Sequence, residues 1–291
     1  MMMMNRQRGF TLVELIIVMV IVGALAGILM VFFKPAMQNY LSAGQRAAMT
    51  DLADGAMRRM VREIRVSVPN SVREISSQCI EMIPTSSGGR VRMAPDTVWD
   101  TANPGNPSMA LDTNLPTNGF DVLTPIVTQP AIGDWVVIGN QATEDVYAGI
   151  TRYRIAGVQA APAANVGTLR LTFSSSPPAQ FPVGYDGGRY VVVPQAQQAV
   201  SFVCSNAGID ANGTGTGTLF RVANYGFNSP GTCPAAGGAP ILATHVQTCN
   251  FNYNPSAGVT AQNGYVEITL QLTDHGESVS LYYGAHVDNV P

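Results

Sequence analysis

The feature that most constrains this chain is an uninterrupted apolar segment near its N-terminus. From Leu15 to Phe33 there are 19 consecutive uncharged, mostly large apolar residues. In a helix with a rise of 1.5 Å per residue, such a segment spans about 30 Å, the thickness of the hydrocarbon layer of a bilayer. The sequence therefore predicts a transmembrane helix over residues 10–33.

A secretory signal peptide and a plain signal anchor are the two common explanations of such a segment, and neither accounts for all of its residues. A secretory signal peptide has a shorter apolar core followed by small residues, whereas this segment ends in Phe32-Phe33-Lys34-Pro35. A plain signal anchor fits the length and the basic residues Arg6 and Arg8 before it. It does not account for Glu14, because a carboxylate that faces lipid costs about 2.5–3.5 kcal/mol. We therefore expect a positive partner for Glu14.

The residues around Glu14 form a recognisable pattern. The stretch Arg8-Gly9-Phe10-Thr11-Leu12-Val13-Glu14-Leu15 resembles the class III signal of type IV pilins and pseudopilins. The resemblance implies that prepilin peptidase removes residues 1–9 as a leader peptide by cutting between Gly9 and Phe10, and that Phe10 is then N-methylated. It also implies that Glu14 serves assembly by pairing with the terminal amine of a neighbouring subunit. The physical chemistry agrees, since cleavage creates a positive amine and a carboxylate in an apolar layer needs one.

The apolar pattern predicts that the helix continues beyond the membrane. Apolar residues recur at intervals of three and four, at Met49, Ala53, Ala56 or Met57, Met60 and Ile64. The pattern stops at Val68-Pro69-Asn70, because a residue before proline avoids the helical region. We expect one helix from about Phe10 to Ser67, with residues 34–68 as its amphipathic continuation. The arginines between residues 58 and 65 are expected to be solvated or to contact another subunit, with binding of an acidic ligand as the alternative.

After residue 69 the pattern changes to short β-branched and aromatic runs between Gly, Pro, Asn and Ser. These runs predict a β-rich globular domain over residues 69–291, and the fold class is therefore α+β, a long helix packed on an antiparallel sheet. Segment 84–119, with five prolines, is predicted to be a long surface excursion, and segment 212–218 a flexible hairpin tip. The predicted strands are Cys79–Ile83, Asp134–Gly139, Tyr147–Val158, Thr168–Phe173, Arg189–Val193, Ala199–Ser205, Thr218–Ala223, His245–Tyr253, Tyr265–Leu272 and Ser278–Tyr283.

Charge and motif content exclude several classes of function. The net charge is −3, and the part from residue 70 onward holds eight arginines and fifteen carboxylates, so we expect no nucleic-acid partner. The histidines, His245, His275 and His286, are not spaced as a metal site or a catalytic triad. The sequence contains no P-loop, no G-x-S-x-G and no H-E-x-x-H motif. We therefore expect a protein that is not an enzyme and has no cofactor and no metal site.

The cysteines indicate the compartment of the globular domain. Cys79, Cys204, Cys233 and Cys249 all follow the transmembrane segment, and an even number there predicts two disulfides. Four cysteines allow three connectivities. Either Cys204–Cys233 or Cys233–Cys249 would close a strand connection, and the sequence does not choose between them. Four buried free thiols are the alternative.

Two further features of the resemblance favour a minor subunit. The chain is longer than typical major pilins, and Val31 stands where major pilins usually carry a helix-kinking proline. Segments 68–73 and 281–291 resemble a biogenesis protein of the mannose-sensitive haemagglutinin (MSHA) pilus. The alternatives are a J-like minor pseudopilin of a type II secretion system and a pilus-tip adhesin.

The resemblance also implies a location and a set of partners. It implies a single-pass protein of the bacterial inner membrane, with its C-terminal domain in the periplasm, that initiates or caps the pilus and can be incorporated into it. The implied partners are other major and minor pilins, prepilin peptidase and the inner-membrane pilus assembly platform.

Overall fold

The computed structural model describes residues 9–183, 187–229, 231–256 and 263–290. The predicted leader, including Arg6 and Arg8, therefore lies outside the described residues except for Gly9, and so does Pro291 of the segment 281–291. The chain forms two compact units, residues 1–48 and 49–291.

The first helix is long and carries the predicted apolar stripe. Helix α1 runs from Leu12 to Arg65, within two residues of the predicted limits at each end. It ends where the Ser67 hydroxyl donates to the carbonyl of Ile64 at 2.8 Å, two residues before Pro69. Within the second unit, one face of α1 is buried in a core that it shares with a β-sheet. The buried side chains of this face are Met49, Ala53, Ala56, Met57, Met60, Val61 and Ile64.

The second unit contains the remaining elements. The described residues include two shorter helices, α2 (Thr97–Ala102) and α3 (Thr143–Ala148). In chain order the strands are β1 (Arg73–Ser76), β2 (Cys79–Met82), β3 (Ser87–Arg90), β4 (Gly119–Val122), β5 (Trp135–Val137), β6 (Arg152–Ala160), β7 (Leu169–Phe173), β8 (Arg189–Val193), β9 (Val200–Ser205), β10 (Gly217–Val222), β11 (Ile241–Asn254), β12 (Asn263–Asp274) and β13 (Glu277–Asp288).

These strands form two sheets rather than the single sheet that was predicted. The first sheet has the order β1-β2-β9-β10-β11-β12-β13, and its neighbouring strands are antiparallel. Helix α1 packs on this sheet, so the predicted α+β class is confirmed. The second sheet has the order β3-β8-β5-β6-β7-β4 and a core of its own, in which the ring of Phe120 lies 5.5 Å from those of Phe173 and Tyr190.

The prediction of a long surface excursion over residues 84–119 is wrong. Strand β3 and helix α2 lie within it, and Val91 and Leu111 are buried in the core of the second sheet. Strand β3 has the sequence Ser-Gly-Gly-Arg, which carries no β-propensity signal. Its glycines are there for close approach, since a Cβ on Gly89 would lie 2.1 Å from the hydroxyl oxygen of Thr124.

Each of the ten predicted strands overlaps an observed one, but one of them was predicted to start in a segment that is helical. The prediction for Tyr147–Val158 is wrong at its start, because Tyr147 belongs to α3. Gly149, in the left-handed conformation at φ 90°, ends that helix before β6 begins at Arg152. Segment 212–218 begins within a hydrogen-bonded turn between β9 and β10, in which the Asp210 carboxylate accepts from the N–H groups of Asn212 and Thr214 at 2.9 and 2.8 Å.

Two disulfides form, as predicted, but with neither suggested pairing. They join Cys79 to Cys233 and Cys204 to Cys249. The suggested pairings assumed bridges between cysteines that are successive in the chain. The sheet order instead brings together residues that are 154 and 45 positions apart.

Candidate processing and assembly site

The candidate processing site is the peptide bond between Gly9 and Phe10, just before helix α1. Both residues are exposed and neither is helical, and the Phe10 side chain is 81% exposed. A side chain added at Gly9 would meet no atom within 4 Å, so packing within this chain does not require a glycine there. The bond thus lies in an accessible, non-helical segment, which is the kind of segment that proteases cut.

Thr11 organises the start of the helix. Its hydroxyl oxygen accepts a hydrogen bond from the backbone N–H of Glu14 at 3.3 Å, and its carbonyl accepts from the N–H of Leu15 at 3.3 Å. The order Thr-x-x-Glu at residues 11–14 matches a capping box, in which a hydroxyl satisfies one of the free N–H groups at a helix start. The capping role of Thr11 was not predicted from the sequence, although the Thr-x-x-Glu spacing of Thr11 and Glu14 indicates it.

Glu14 lies in the first turn of α1, where a negative charge interacts favourably with the helix dipole. Its side chain is exposed, and its neighbours Val13, Leu15 and Val18 are exposed apolar residues. Among the residues that the structure describes, no cation lies within ion-pair distance of this carboxylate. The described part of the chain therefore presents the Glu14 carboxylate on an exposed apolar helix surface.

The apolar segment of α1 is exposed on all sides. Its large side chains from Leu12 to Phe33 are more than half exposed, and those of Met37, Tyr40 and Leu41 continue the surface. By length and composition, α1 is a helix that could cross a membrane, and no residue of its most apolar 18-residue stretch is buried. A helix that is apolar all round needs an apolar environment, which a bilayer or neighbouring apolar helices would provide.

The comparisons with known proteins concern this N-terminal region. Residues 4–30 match the model of the prokaryotic N-terminal methylation motif. The chain is type IV pilin-like at its N-terminus. A fimbrial protein of Moraxella nonliquefaciens is 48% identical over 52 residues, which are 18% of this chain and 31% of the relative. The chain thus aligns with about a third of the length of that curated relative. No solved structure matches the present chain.

The titratable groups of the second unit do not form a metal site among the described residues. Among the described residues, no group of three or more His, Cys, Asp or Glu is arranged to hold a metal ion. His275 lies in the turn between β12 and β13 and contacts Asp274 at 2.7 Å, and His286 lies 4.9 Å from the Tyr265 ring. His245 lies within β11. The structure does not bring these three histidines into one described site.

A buried polar cluster of the second unit surrounds Arg73. The Arg73 guanidinium donates to Glu81 at 2.7 Å, to Glu144 at 2.7 Å and to the carbonyl of Asn228 at 2.6 Å. It also lies 3.5 Å from the centre of the Tyr147 ring. Burial acts to lower the pKa of Arg73, but the hydrogen bond to Glu144 and the nearby charges raise it overall.

Glu81, the main partner of Arg73, is fully buried and well satisfied. Its carboxylate also accepts from Tyr225 at 2.9 Å and from the amide of Asn228. Burial, together with the charge of Glu81, raises the pKa of Tyr147 and that of Tyr225. The hydrogen bonds and ion pairs of this cluster join residues that are far apart in the chain, so the cluster holds the fold in place.

Proposed function

We propose that this pilin-like chain is a minor subunit of an MSHA-type type IV pilus, most like the MSHA pilus biogenesis protein MshO, and acts in initiation or at the tip of the fibre. The observation that carries the proposal is the N-terminal arrangement: an exposed Gly9–Phe10 bond, a capped helix start at Thr11, and Glu14 on an exposed apolar helix. The match to the methylation motif over residues 4–30 supports it. In this function the chain is a structural subunit and not an enzyme.

Prepilin peptidase removes residues 1–9 in this proposal, and Phe10 becomes the methylated N-terminus. The new amine is positive and lies four residues before Glu14, at the start of an apolar helix. In apolar surroundings an amine and a carboxylate on neighbouring subunits attract strongly, because little solvent screens them. Pairing of the two therefore sets the axial position of one subunit against the next.

The proposed domain organisation follows from this chemistry. Residues 10–33 span the inner membrane, residues 34–68 continue the helix, and residues 69–291 form a periplasmic domain. The two disulfides, Cys79–Cys233 and Cys204–Cys249, support an oxidising compartment for that domain. The partners in this scheme are other major and minor pilins, prepilin peptidase and the inner-membrane assembly platform.

Processing is tested with the substitution Gly9→Val, which enlarges the residue before the cleaved bond. Mass spectrometry of the membrane-extracted wild-type chain should show an N-terminus at methylated Phe10, whereas Gly9→Val should retain the leader. Gly44→Val is a matched control, because a side chain at Gly44 also meets no atom within 4 Å. A wild-type chain that starts at Met1, or a Gly9→Val chain that is cut normally, would overturn the proposed processing.

The pilus role is tested separately from processing. Deletion of the gene should reduce the number of surface pili while leaving the export of type II secretion substrates unchanged. The reverse result would favour the J-like pseudopilin. Normal pilus numbers with lost adhesion would favour the tip adhesin.

A further inference from the structure

The last strand of the first sheet has one unpaired edge. Strand β13 pairs with β12 without interruption from Asn263↔Asp288 to Asp274↔Glu277. It is the terminal strand of the sheet, and within the described part of the chain no strand or isolated bridge lies on its other side. A strand of twelve residues with a free row of N–H and C=O groups is a template for an added strand.

Helix α1 runs alongside this edge. The Tyr283 hydroxyl donates to the Asp54 carboxylate, and farther along the Asn70 amide donates to the carbonyl of Asn289 at 2.9 Å. The chain therefore runs in the same direction along α1 and along β13. From residue 283 to 289 a strand advances about 20 Å, and from residue 54 to 65 a helix rises about 16 Å. The end of α1 therefore accompanies the second half of β13.

Three arginines line the groove between them. Arg58, Arg62 and Arg65, named here the arginine row, border this groove together with Val61, Val66, Tyr283 and Gly284. Arg58 already contacts Asp54 at 2.6 Å. Arg62 and Arg65 are exposed, and no carboxylate among the described residues lies within 4 Å of either one. The groove is therefore positively charged, and no carboxylate of the described residues neutralises Arg62 or Arg65.

We propose that the free edge of β13 and the arginine row form a docking surface for an acidic β-strand of a neighbouring pilin-like subunit. The inference rests on the proposed function for the identity of the neighbour. Backbone hydrogen bonds to the edge would supply affinity, as in other complexes formed by strand addition, and side chains at alternate positions would supply specificity.

The spacing of charges fits an added strand. Side chains on one face of a strand recur about every 6.8 Å. The rise along a helix from Arg62 to Arg65 is about 4.5 Å, a difference that two long, exposed arginine side chains can span. Two carboxylates at alternate positions of the added strand can therefore each reach an arginine. The adjacent surface of Val66 and Tyr283 can accept the apolar side chains of that strand.

The same charges argue against a second copy of this chain as the occupant. Two β13 edges paired with one another would bring two arginine rows together, and like charges across an interface oppose association. Arginines next to an edge thus oppose self-association while favouring an acidic partner. The inferred occupant is therefore an extended segment with carboxylates at alternate positions.

The experiment uses the full chain, purified in detergent micelles. The probe is a fluorescent peptide that alternates valine with glutamate, compared with one that alternates valine with lysine. We expect fluorescence anisotropy to show binding of the glutamate peptide only, and the double substitution Arg62→Gln/Arg65→Gln to weaken it about tenfold. The control is Arg90→Gln/Arg189→Gln, which removes two exposed arginines from the second sheet and should leave binding unchanged.

Hydrogen exchange then distinguishes strand addition from simple charge attraction. Backbone amides of β13 should gain protection when the glutamate peptide binds. Binding without that protection, equal binding of the lysine peptide, or no binding of either peptide would overturn the proposal. The probe is synthetic and the chain is isolated, so these failures leave the tests of processing and pilus formation unaffected.

Discussion

The hydroxyl of Tyr283 on the last strand donates a hydrogen bond to the carboxylate of Asp54 on helix α1, 229 residues earlier in the chain. Arg58 donates to the same carboxylate at 2.6 Å. The hydrogen bond from Tyr283, followed by that from Arg58, lowers the pKa of Asp54. This contact joins the helix to the far edge of the first sheet.

The first prediction concerns the acid stability of this contact. A carboxylate whose pKa is lower in the folded state than in the unfolded state, near 3.9, stabilises the fold above that unfolded value. The contribution is lost as the pH falls through the folded pKa. Asp54→Asn should therefore reduce the free energy of unfolding at pH 7, and its difference from wild type should disappear in strong acid.

Denaturant unfolding of the full chain at several pH values, followed by near-ultraviolet circular dichroism, measures this difference. Asp51→Asn is the matched control, because Asp51 is an exposed carboxylate on the same helix. A deficit for Asp54→Asn that stays constant down to about pH 2 would show that the lost interaction does not depend on ionisation.

The second prediction concerns the buried pair of Arg73 and Glu81. Their side chains are 10% and 0% exposed, so Arg73→Met leaves a buried carboxylate without its cation. We expect Arg73→Met to lower the free energy of unfolding by about 3–5 kcal/mol, and Arg73→Met/Glu81→Met to recover part of that loss. Arg59→Met removes a half-exposed arginine whose partner Glu63 keeps its contact with Arg221, and it should cost about 0–1 kcal/mol. A double variant less stable than Arg73→Met would contradict this account.

The third prediction concerns the two disulfides. Alanine replacement of either pair should destabilise the second unit by about 2–5 kcal/mol. In the chain-entropy model, loss of Cys79–Cys233, with a separation of 154, costs about 1 kcal/mol more than loss of Cys204–Cys249, with a separation of 45. Thermal unfolding of the two double variants measures the order, and peptide mapping of the unreduced protein checks the pairing. Peptides linked through Cys204 and Cys233 would refute it.

The fourth prediction concerns Glu14. A glutamine preserves the capping-box pattern with Thr11 but removes the charge, so Glu14→Gln isolates the electrostatic contribution. We expect normal membrane insertion, normal processing and unchanged stability of the second unit, with loss of crosslinks to other pilins in living cells. Thr11→Val is the complementary control, since it removes the cap and keeps the carboxylate. Crosslinking and pilus numbers at wild-type levels in Glu14→Gln would show that the charge does not set the register.

Much of the fold could be predicted because its signals are local. The helix limits follow from the apolar run and from Pro69, and the stripe from Met49 to Ile64 follows from spacings of three and four. Strands such as β9 and β12 are marked by their β-branched and aromatic residues. Strand β3 has no such mark, because its glycines are selected by the closeness of Thr124 and β8 rather than by their own propensity.

The sequence by itself determined the apolar helix, the motif that predicts cleavage at Gly9–Phe10 and the position of Glu14, because each depends on residues adjacent in the chain. Only the tertiary structure decided the division into two sheets, the pairing of Cys79 with Cys233, and the cluster around Arg73. These depend on which strands become neighbours, and strand order is set by the burial of apolar faces that are far apart in the chain. A local pattern predicts which strands exist, whereas long-range packing determines which of them meet.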